Sequence, residues 1–410
     1  MDVAGVRVLV APGATVASLA AIAFGVCLGT CSGLVPGLHV NSLALLLAAA
    51  APAVPGPPHL VGAALLAAGV THSFLDVVPT LALGVPDPAM AVSALPGHRL
   101  VMVGRGREAL RVSALGSGVA VLVAFVLGVP VTAAARRVAP FVYDHLTVAV
   151  AALVAGLLAR EATWRARLGG LLAVTASGAL GVVALPMNAT GLAPTGDVLA
   201  PLFAGLFGAP VLLAAYRGAG VPEQDDAVVA DGPRSVLGPG FAGSLAGAVV
   251  AYVPGVSGAI ATVFAVEATQ ADGDRAFVAA LSGVNTANTV FALFALFALG
   301  EPRTGLLVAF ERASLPRTLP LLLASVALAA CAGALLVPVL GDRYFGLVRA
   351  VNHRRLTVGV CALLVVLAWV FAGFLGVGLL AVATLVGLVP PHFGARRVHL
   401  MGVLLVPIAL

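Results

Sequence analysis

The sequence predicts an all-α polytopic membrane protein made of two inverted-topology repeats with discontinuous or re-entrant helices, roughly 10–12 membrane elements in all. Three observations predict it. Of the 410 residues, 61% are hydrophobic and only 10% charged, with a mean hydropathy of +1.11, far outside the range of a soluble domain. An ordered series of self-matches crosses a polar segment at mid-chain. The arginine bias of the connecting loops changes sign between the two halves. A span needs about 20 apolar residues, so the length allows on the order of a dozen crossings. A water-soluble enzyme and a single-span receptor are both excluded.

From the N-terminus, Arg7 precedes an apolar run from Val8 that continues to Ala53. No polar mature start follows a cleavage-like site, so the run reads as an uncleaved first membrane element rather than a signal peptide. Residues 1–216 form a first transmembrane repeat and 237–410 a second. Between them lies a cytoplasmic linker, 217–236, with Glu223, Asp225, Asp226 and Asp231 among glycines and prolines. Gly25, Gly29, Val35, Pro36 and Gly37 match Gly243, Gly247, Val253, Pro254 and Gly255 at a constant offset of 218. Leu83-Gly84-Val85-Pro86 then matches Leu299-Gly300-Glu301-Pro302, Leu146-Thr147-Val148 matches Leu356-Thr357-Val358, and Gly170 to Val174 matches Gly378 to Val382. A steadily shrinking offset is the mark of a duplication eroded by loop deletions.

All 22 cations are arginine and the net charge is +5. That excess is too small to imply a nucleic-acid partner. As topology markers the arginines say more. With the loop at Arg160, Arg165 and Arg167 placed inside, alternation puts fifteen arginines on that side and five outside, with Arg7 and Arg275 unplaced. The loop at 187–197 carries no arginine, whereas its counterpart carries Arg396 and Arg397. The four cysteines sit in apolar stretches and read as small packing residues. No cofactor or metal motif occurs, and a coupling Na+ or H+ is the only inorganic species expected.

The chemistry-bearing residues cluster at two breaks per half. With 48 Gly and 27 Pro, breaker residues are overused, and broken spans are tolerated where the freed backbone faces protein or a polar cavity. Each repeat opens on a small-xxx-small helix that runs into Pro-Gly at Pro36-Gly37 and Pro254-Gly255. The break is a discontinuous helix or re-entrant hairpin whose free amides and carbonyls bind ions, or else a mere packed kink. His39, Asn41 and Ser42 follow the first break and Ser257 the second. Pro36, Gly37, His39, Asn41, Pro254, Gly255, Ser257, Asn285 and Asn288 are therefore the candidate substrate-binding residues. Thr71-His72-Ser73 with Asp76 matches Asn285 to Thr289, and the spacing lets His72 and Asp76, or Asn285 and Asn288, share one helical face. A carboxylate within a span is a functional candidate by default. Asp76, His72, Ser73 and Thr289 are thus the candidate ion-coupling residues, with a purely structural His72-Asp76 pair as the alternative. His59, His98, His145, His353, His392 and His399 read as interfacial, and Asp87, Glu108, Glu301 and Glu311 as loop charges.

These strings resemble a family. G-x3-G-x6-P-G at 25–37, L-G-V-P-D-P with P-G-H-R-L-V-M-V-G-R-G-R-E-A-L-R over 83–111, and N-T-A-N at 285–288 resemble the large permease subunit of tripartite tricarboxylate transporters over nearly the whole chain. The P-G-L-H-x-N form is similar to an archaeal-type branch. The resemblance implies an ion-gradient-driven carrier of a small organic anion, a di- or tricarboxylate, in the cell (cytoplasmic) membrane. It also implies two partners, a small membrane subunit and an extracytoplasmic substrate-binding protein, beside the surrounding lipid and with a homodimer allowed. Gly255-Val256-Ser257-Gly258 also spells the nucleophile string of an intramembrane serine protease, and a flippase or channel would share the fold. Duplication already accounts for that string, because Ser257 stands where His39 stands in the first half.

Overall fold

The computed structural model describes residues 2–3, 6–7, 11–84, 94–193, 198–216, 218, 220–225, 232, 234–253, 256–271 and 273–410. Two two-residue strands, Asp2–Val3 and Val6–Arg7, pair antiparallel at the N-terminus. The rest of the described secondary structure is helical. The first half contributes α1 (Pro12–Gly33), α2 (Val40–Ala50), α3 (Pro58–Leu75), α4 (Val77–Leu83), α5 (Ala94–Met102), α6 (Gly106–Asp144), α7 (Leu146–Ala159), α8 (Trp164–Ala184), α9 (Leu199–Phe203) and α10 (Ala209–Ala215). The second contributes α11 (Arg234–Tyr252), α12 (Gly258–Thr269), α13 (Asp274–Leu299), α14 (Gly305–Arg312), α15 (Leu319–Ala350), α16 (His353–Gly387), α17 (Val389–Phe393) and α18 (Gly402–Ala409). The linker expected to end at 236 gives way to helix at Arg234.

Among the described residues, eight helical stretches are long and apolar enough to cross a membrane, and five shorter apolar helices accompany them. The chain is an all-α multi-pass membrane protein. The stretch His353–Phe393 would measure about 60 Å at 1.5 Å per residue, twice a hydrocarbon core. It is broken at Gly373, whose φ of 61° and ψ of −151° are open to glycine alone. Apolar runs of bilayer length at 356–373 and 374–390 in the sequence meet at that break.

The glycine spacing acts through close backbone approach. Gly25 lies on the Ala64 carbonyl, Gly29 on that of Ala68 and Gly33 on His72, so α1 and α3 run side by side in the same direction. In the second half Gly243 lies on the Ala280 carbonyl and Gly247 on that of Val284. A Cβ at any of these positions would overlap the neighbouring helix, as small-residue membrane interfaces require. The long helices at equivalent places, α6 and α15, run in opposite directions. Gly106 and Arg107 meet Phe345 and Asp342, Leu110 meets Gly341, and the stretch at Val121 to Phe125 faces Ala327 to Ala334. Each long helix packs on the third helix of the other half. Ser113 and Ser282 share a hydrogen bond of 2.8 Å and Thr286 donates to Ser117 at 2.9 Å between α6 and α13, while Gly333 of α15 receives Phe74 of α3.

Two main apolar cores result. The larger unites α1 to α6 with α11 and α13 to α15, and the smaller unites α7, α8, α9, α12, the second arm of α16 and residues 398–405. Polar contacts also sort the arginine-rich loops onto one face. Glu108, expected as a loop charge, is fully buried in the first turn of α6, 2.7 Å from both Arg105 and Arg275. Arg107 pairs with Asp342, Arg99 with Asp274, Arg349 with Glu223, and Arg160 with Glu267. The linker is tied to the same place. The Gln224 side chain accepts from Gly106 N–H at 2.7 Å and donates to Val101 O, and Asp225 N–H donates to Gly104 O. Gly104 sits at φ +82°, the conformation its tight turn requires. The conspicuous arginine string over 99–111 is thus a polar latch between the two halves and the linker. At the far end of α6, Tyr143 lies under Arg303, one of the five arginines on the opposite side.

Candidate functional site

The candidate site is built on two helix starts and one helix crossing. α1 ends at Gly33 and the chain turns through Gly37, at φ +79°, before α2 begins. His39 is the N-cap of α2, its Nδ1 accepting from Asn41 N–H at 3.0 Å, which leaves the proton on Nε2. In the second half Ser257 is the N-cap of α12, its Oγ accepting from Ile260 N–H at 3.3 Å. Both are textually equivalent positions, at the same offset of 218 that relates the breaks. At 11 and 12 residues the two helices measure about 17 Å, roughly half a bilayer. Each start touches the smaller core: the His39 ring lies 6.4 Å from that of Phe203, and Ala259 and Ile260 are buried in it. Gly37 abuts Leu364 of α16. Pro36 lies in the turn, Asn41 packs on Gly305 at the start of α14, and Pro254 and Gly255 lie outside the described residues.

The helix crossing lies where α3 gives way to α4. Pro79 cannot donate to the Leu75 carbonyl, and the helix loosens at Asp76, with the Thr80 hydroxyl donating to the Asp76 carbonyl at 2.8 Å. Asp76 is only 5% exposed, where an ionised carboxylate is costly without polar company. Asn285 of α13 supplies it, its Nδ2 reaching Asp76 Oδ2 and Ser73 O, each at 3.3 Å. The candidate carboxylate of one half therefore meets the candidate amide of the other. His72 turns elsewhere. Fully buried, it shares a 2.9 Å hydrogen bond between Nδ1 and Ser32 Oγ of α1, so the structural His72-Asp76 pair is not formed. The hydroxyls of Ser73 and Thr289 donate to Val70 O at 2.8 Å and Asn285 O at 3.3 Å in their own helices. Asn288 lies one turn along from Asn285, against Gly247 of α11, half-buried. α4 and α13 both end on left-handed glycine caps, Gly84 at φ +66° and Gly300 at φ +76°, whereas Val85, Pro86 and Asp87 lie outside the described residues.

Several functional-looking residues carry no sequence signal. Ser32 is one, since a serine within a glycine-spaced face reads as packing. Glu161 and His399 are others. His399, read as interfacial, is buried with its Nε2 2.8 Å from Glu161 Oε1, and the same oxygen accepts from Arg396 N–H at 2.9 Å. Nothing in the spacing relates positions so far apart. Ser257 is hydrogen-bonded as a helix cap, and no described histidine or carboxylate reaches it as a base, so the protease reading is not favoured. No group of three or more His, Cys, Asp or Glu among the described residues is placed to hold a metal.

The chain is 27% identical over 238 residues to an uncharacterised protein of Methanocaldococcus jannaschii, an alignment covering 57% of each. The chain thus spans a little over half the length of that curated relative. No solved structure matches. The family model described as the tripartite tricarboxylate transporter TctA family matches residues 19–402, a range that takes in both helix starts, the Asp76-Asn285 crossing and the arginine latch. With breaks, crossing and latch all inside that match, the chain belongs to the tripartite tricarboxylate transporter TctA family.

Proposed function

We propose that this protein is the permease of a tripartite system, a secondary transporter that carries a di- or tricarboxylate across the cell membrane on a Na+ or H+ gradient. The observation that carries the reading is the pair of half-length helices opened by equivalent caps, His39 and Ser257, one in each half. A helix start presents unpaired N–H groups and a positive dipole end, which favours an anion. Two such starts, each touching the smaller core, suit a ligand with more than one carboxylate. Inverted repeats place half-helix starts at mid-membrane in secondary transporters, and the opposite run of α6 and α15 supports repeats over 1–216 and 237–410 around a cytoplasmic linker at 217–236. Asp76, with Asn285 across from it and His72, Ser73 and Thr289 nearby, is the group we assign to cation coupling. As the family implies, a small membrane subunit and an extracytoplasmic binding protein complete the system, in a lipid bilayer that leaves room for a homodimer.

The test is citrate uptake into proteoliposomes holding the purified protein, with and without an imposed Na+ or H+ gradient. Uptake should follow one of the two gradients. Citrate, malate and succinate all failing to enter under either gradient, with and without the cognate binding protein, would overturn the reading.

A further inference from the structure

Beyond the two helix starts, the molecule carries a second cationic feature that transport at mid-membrane does not use. A cleft of about 470 Å³ opens where the far end of α12 and the start of α13 meet α5 and the turn after α17. Arg99, Arg396, Arg397 and Glu267 line it, with Phe277 and Gly394 among its apolar walls. The nearby carboxylates are already engaged. Asp274 is held by Arg99, Glu267 by Arg160 at 2.9 Å, and Glu161, behind the turn, by His399 and the Arg396 N–H. Arg396 and Arg397 form no ion pair with any described residue. Arg397 is nevertheless half-buried, so its guanidinium has lost part of its hydration without gaining a counter-charge.

The position adds meaning to the charge. α5 and α13 belong to the larger core and α12 and residues 398–405 to the smaller, so the cleft lies at a junction between them. The other end of α12 is the Ser257 start. One helix of 12 residues, about 18 Å long, therefore connects the cleft to the half-helix site. The turn that presents the arginines is fixed from behind by Glu161, which takes the Arg396 N–H and His399 Nε2. The duplicated turn at 187–193 has no arginine. The device exists on one face only.

We infer that Arg396 and Arg397 form a surface oxyanion site that takes a carboxylate of the transported anion at the arginine-rich mouth of the path, between solution and the half-helix starts. This rests on the transport reading above. A pair of guanidiniums offers forked donors that match a carboxylate, and a lipid phosphate shares that chemistry, so the experiment separates the two sources.

The test uses the whole protein in phosphatidylcholine nanodiscs, titrated with citrate, and in proteoliposomes for transport from each face. Arg396→Gln with Arg397→Gln should weaken citrate binding, or raise KM from the arginine-rich face, by about tenfold or more, with kcat within about twofold. Arg397→Lys should restore part of the loss, and added salt should weaken the wild type more than the double variant. Asp76→Asn, by contrast, should act on gradient-driven kcat. Wild-type protein that binds citrate unchanged by the double substitution overturns this inference and leaves the transport reading standing. Wild-type protein that neither binds nor moves citrate, malate or succinate overturns both. Phosphatidylglycerol adducts in native mass spectra that vanish in the double variant, while citrate affinity holds, assign the cleft to lipid and overturn the substrate assignment.

Discussion

At the residue scale, the contact between Asp76 and Asn285 separates what spacing reveals from what it hides. The sequence marks both residues because polar groups stand out in apolar spans, and duplication places them at corresponding breaks. Spacing sets them only beside their own neighbours, His72 and Asn288, because i to i+4 spacing shows only which side chains share a face. The partner across the helix crossing comes from tertiary packing. Replacing Asp76 by Asn preserves volume and keeps a hydrogen-bonding partner for Asn285. Gradient-driven uptake should fall by at least about tenfold, equivalent to about 1.4 kcal/mol, with protein yield and Tm near wild type. Retained coupling in Asp76→Asn would remove it from the cation path. Glu108 gives the opposite pattern. It is fully buried between Arg105 and Arg275, and Glu108→Gln leaves two guanidiniums without their shared carboxylate. Breaking a buried pair costs about 3 kcal/mol, so the Tm in detergent should drop clearly. The family-like string over 99–111 had marked the glutamate without revealing whether it binds substrate or holds the fold.

At the element scale, glycine decides which helices touch. Gly25 and Gly243 each lie against a carbonyl of the parallel neighbour, Ala64 and Ala280, whereas nothing lies within 4 Å of a Cβ at Gly13 in the same helix α1. Gly25→Ala should therefore destabilise by about 1–3 kcal/mol or more through overpacking, and Gly13→Ala should be neutral or slightly stabilising. Thermal unfolding of the pair in detergent checks this, and equal Tm values would refute the close approach. The short helices α2 and α12 were legible as breaks from Pro-Gly, but their caps were not. His39 and Ser257 are chemically unlike, and only the structure shows that both do the same work with an imidazole nitrogen and a hydroxyl. The π stretch at Ala204–Gly208 also escaped sequence reading. Pro210 cannot donate to the Leu206 carbonyl, and the extra residue per turn absorbs that loss.

At the scale of the whole molecule, the arginines sort onto two faces and the repeat-equivalent helices α6 and α15 run antiparallel. The prediction is one of sidedness. In a background with the native cysteines replaced, Arg136→Cys should react with an impermeant maleimide from outside intact cells, and Arg343→Cys only after permeabilisation. Labelling of both from one side would contradict the inverted arrangement. The sequence by itself determined the membrane class and the break at Pro36-Gly37, and it is the ground for expecting two repeats, because hydropathy, self-match offsets and loop charge are properties of the chain read in order. The tertiary structure alone decided that Asp76 meets Asn285, that His72 serves Ser32, that the arginine string is a latch, and that Arg396 and Arg397 face an open cleft. Those are contacts between residues tens to hundreds of positions apart, and in an apolar medium their choice rests on which small residues let two backbones approach, a geometric fit that linear spacing does not encode.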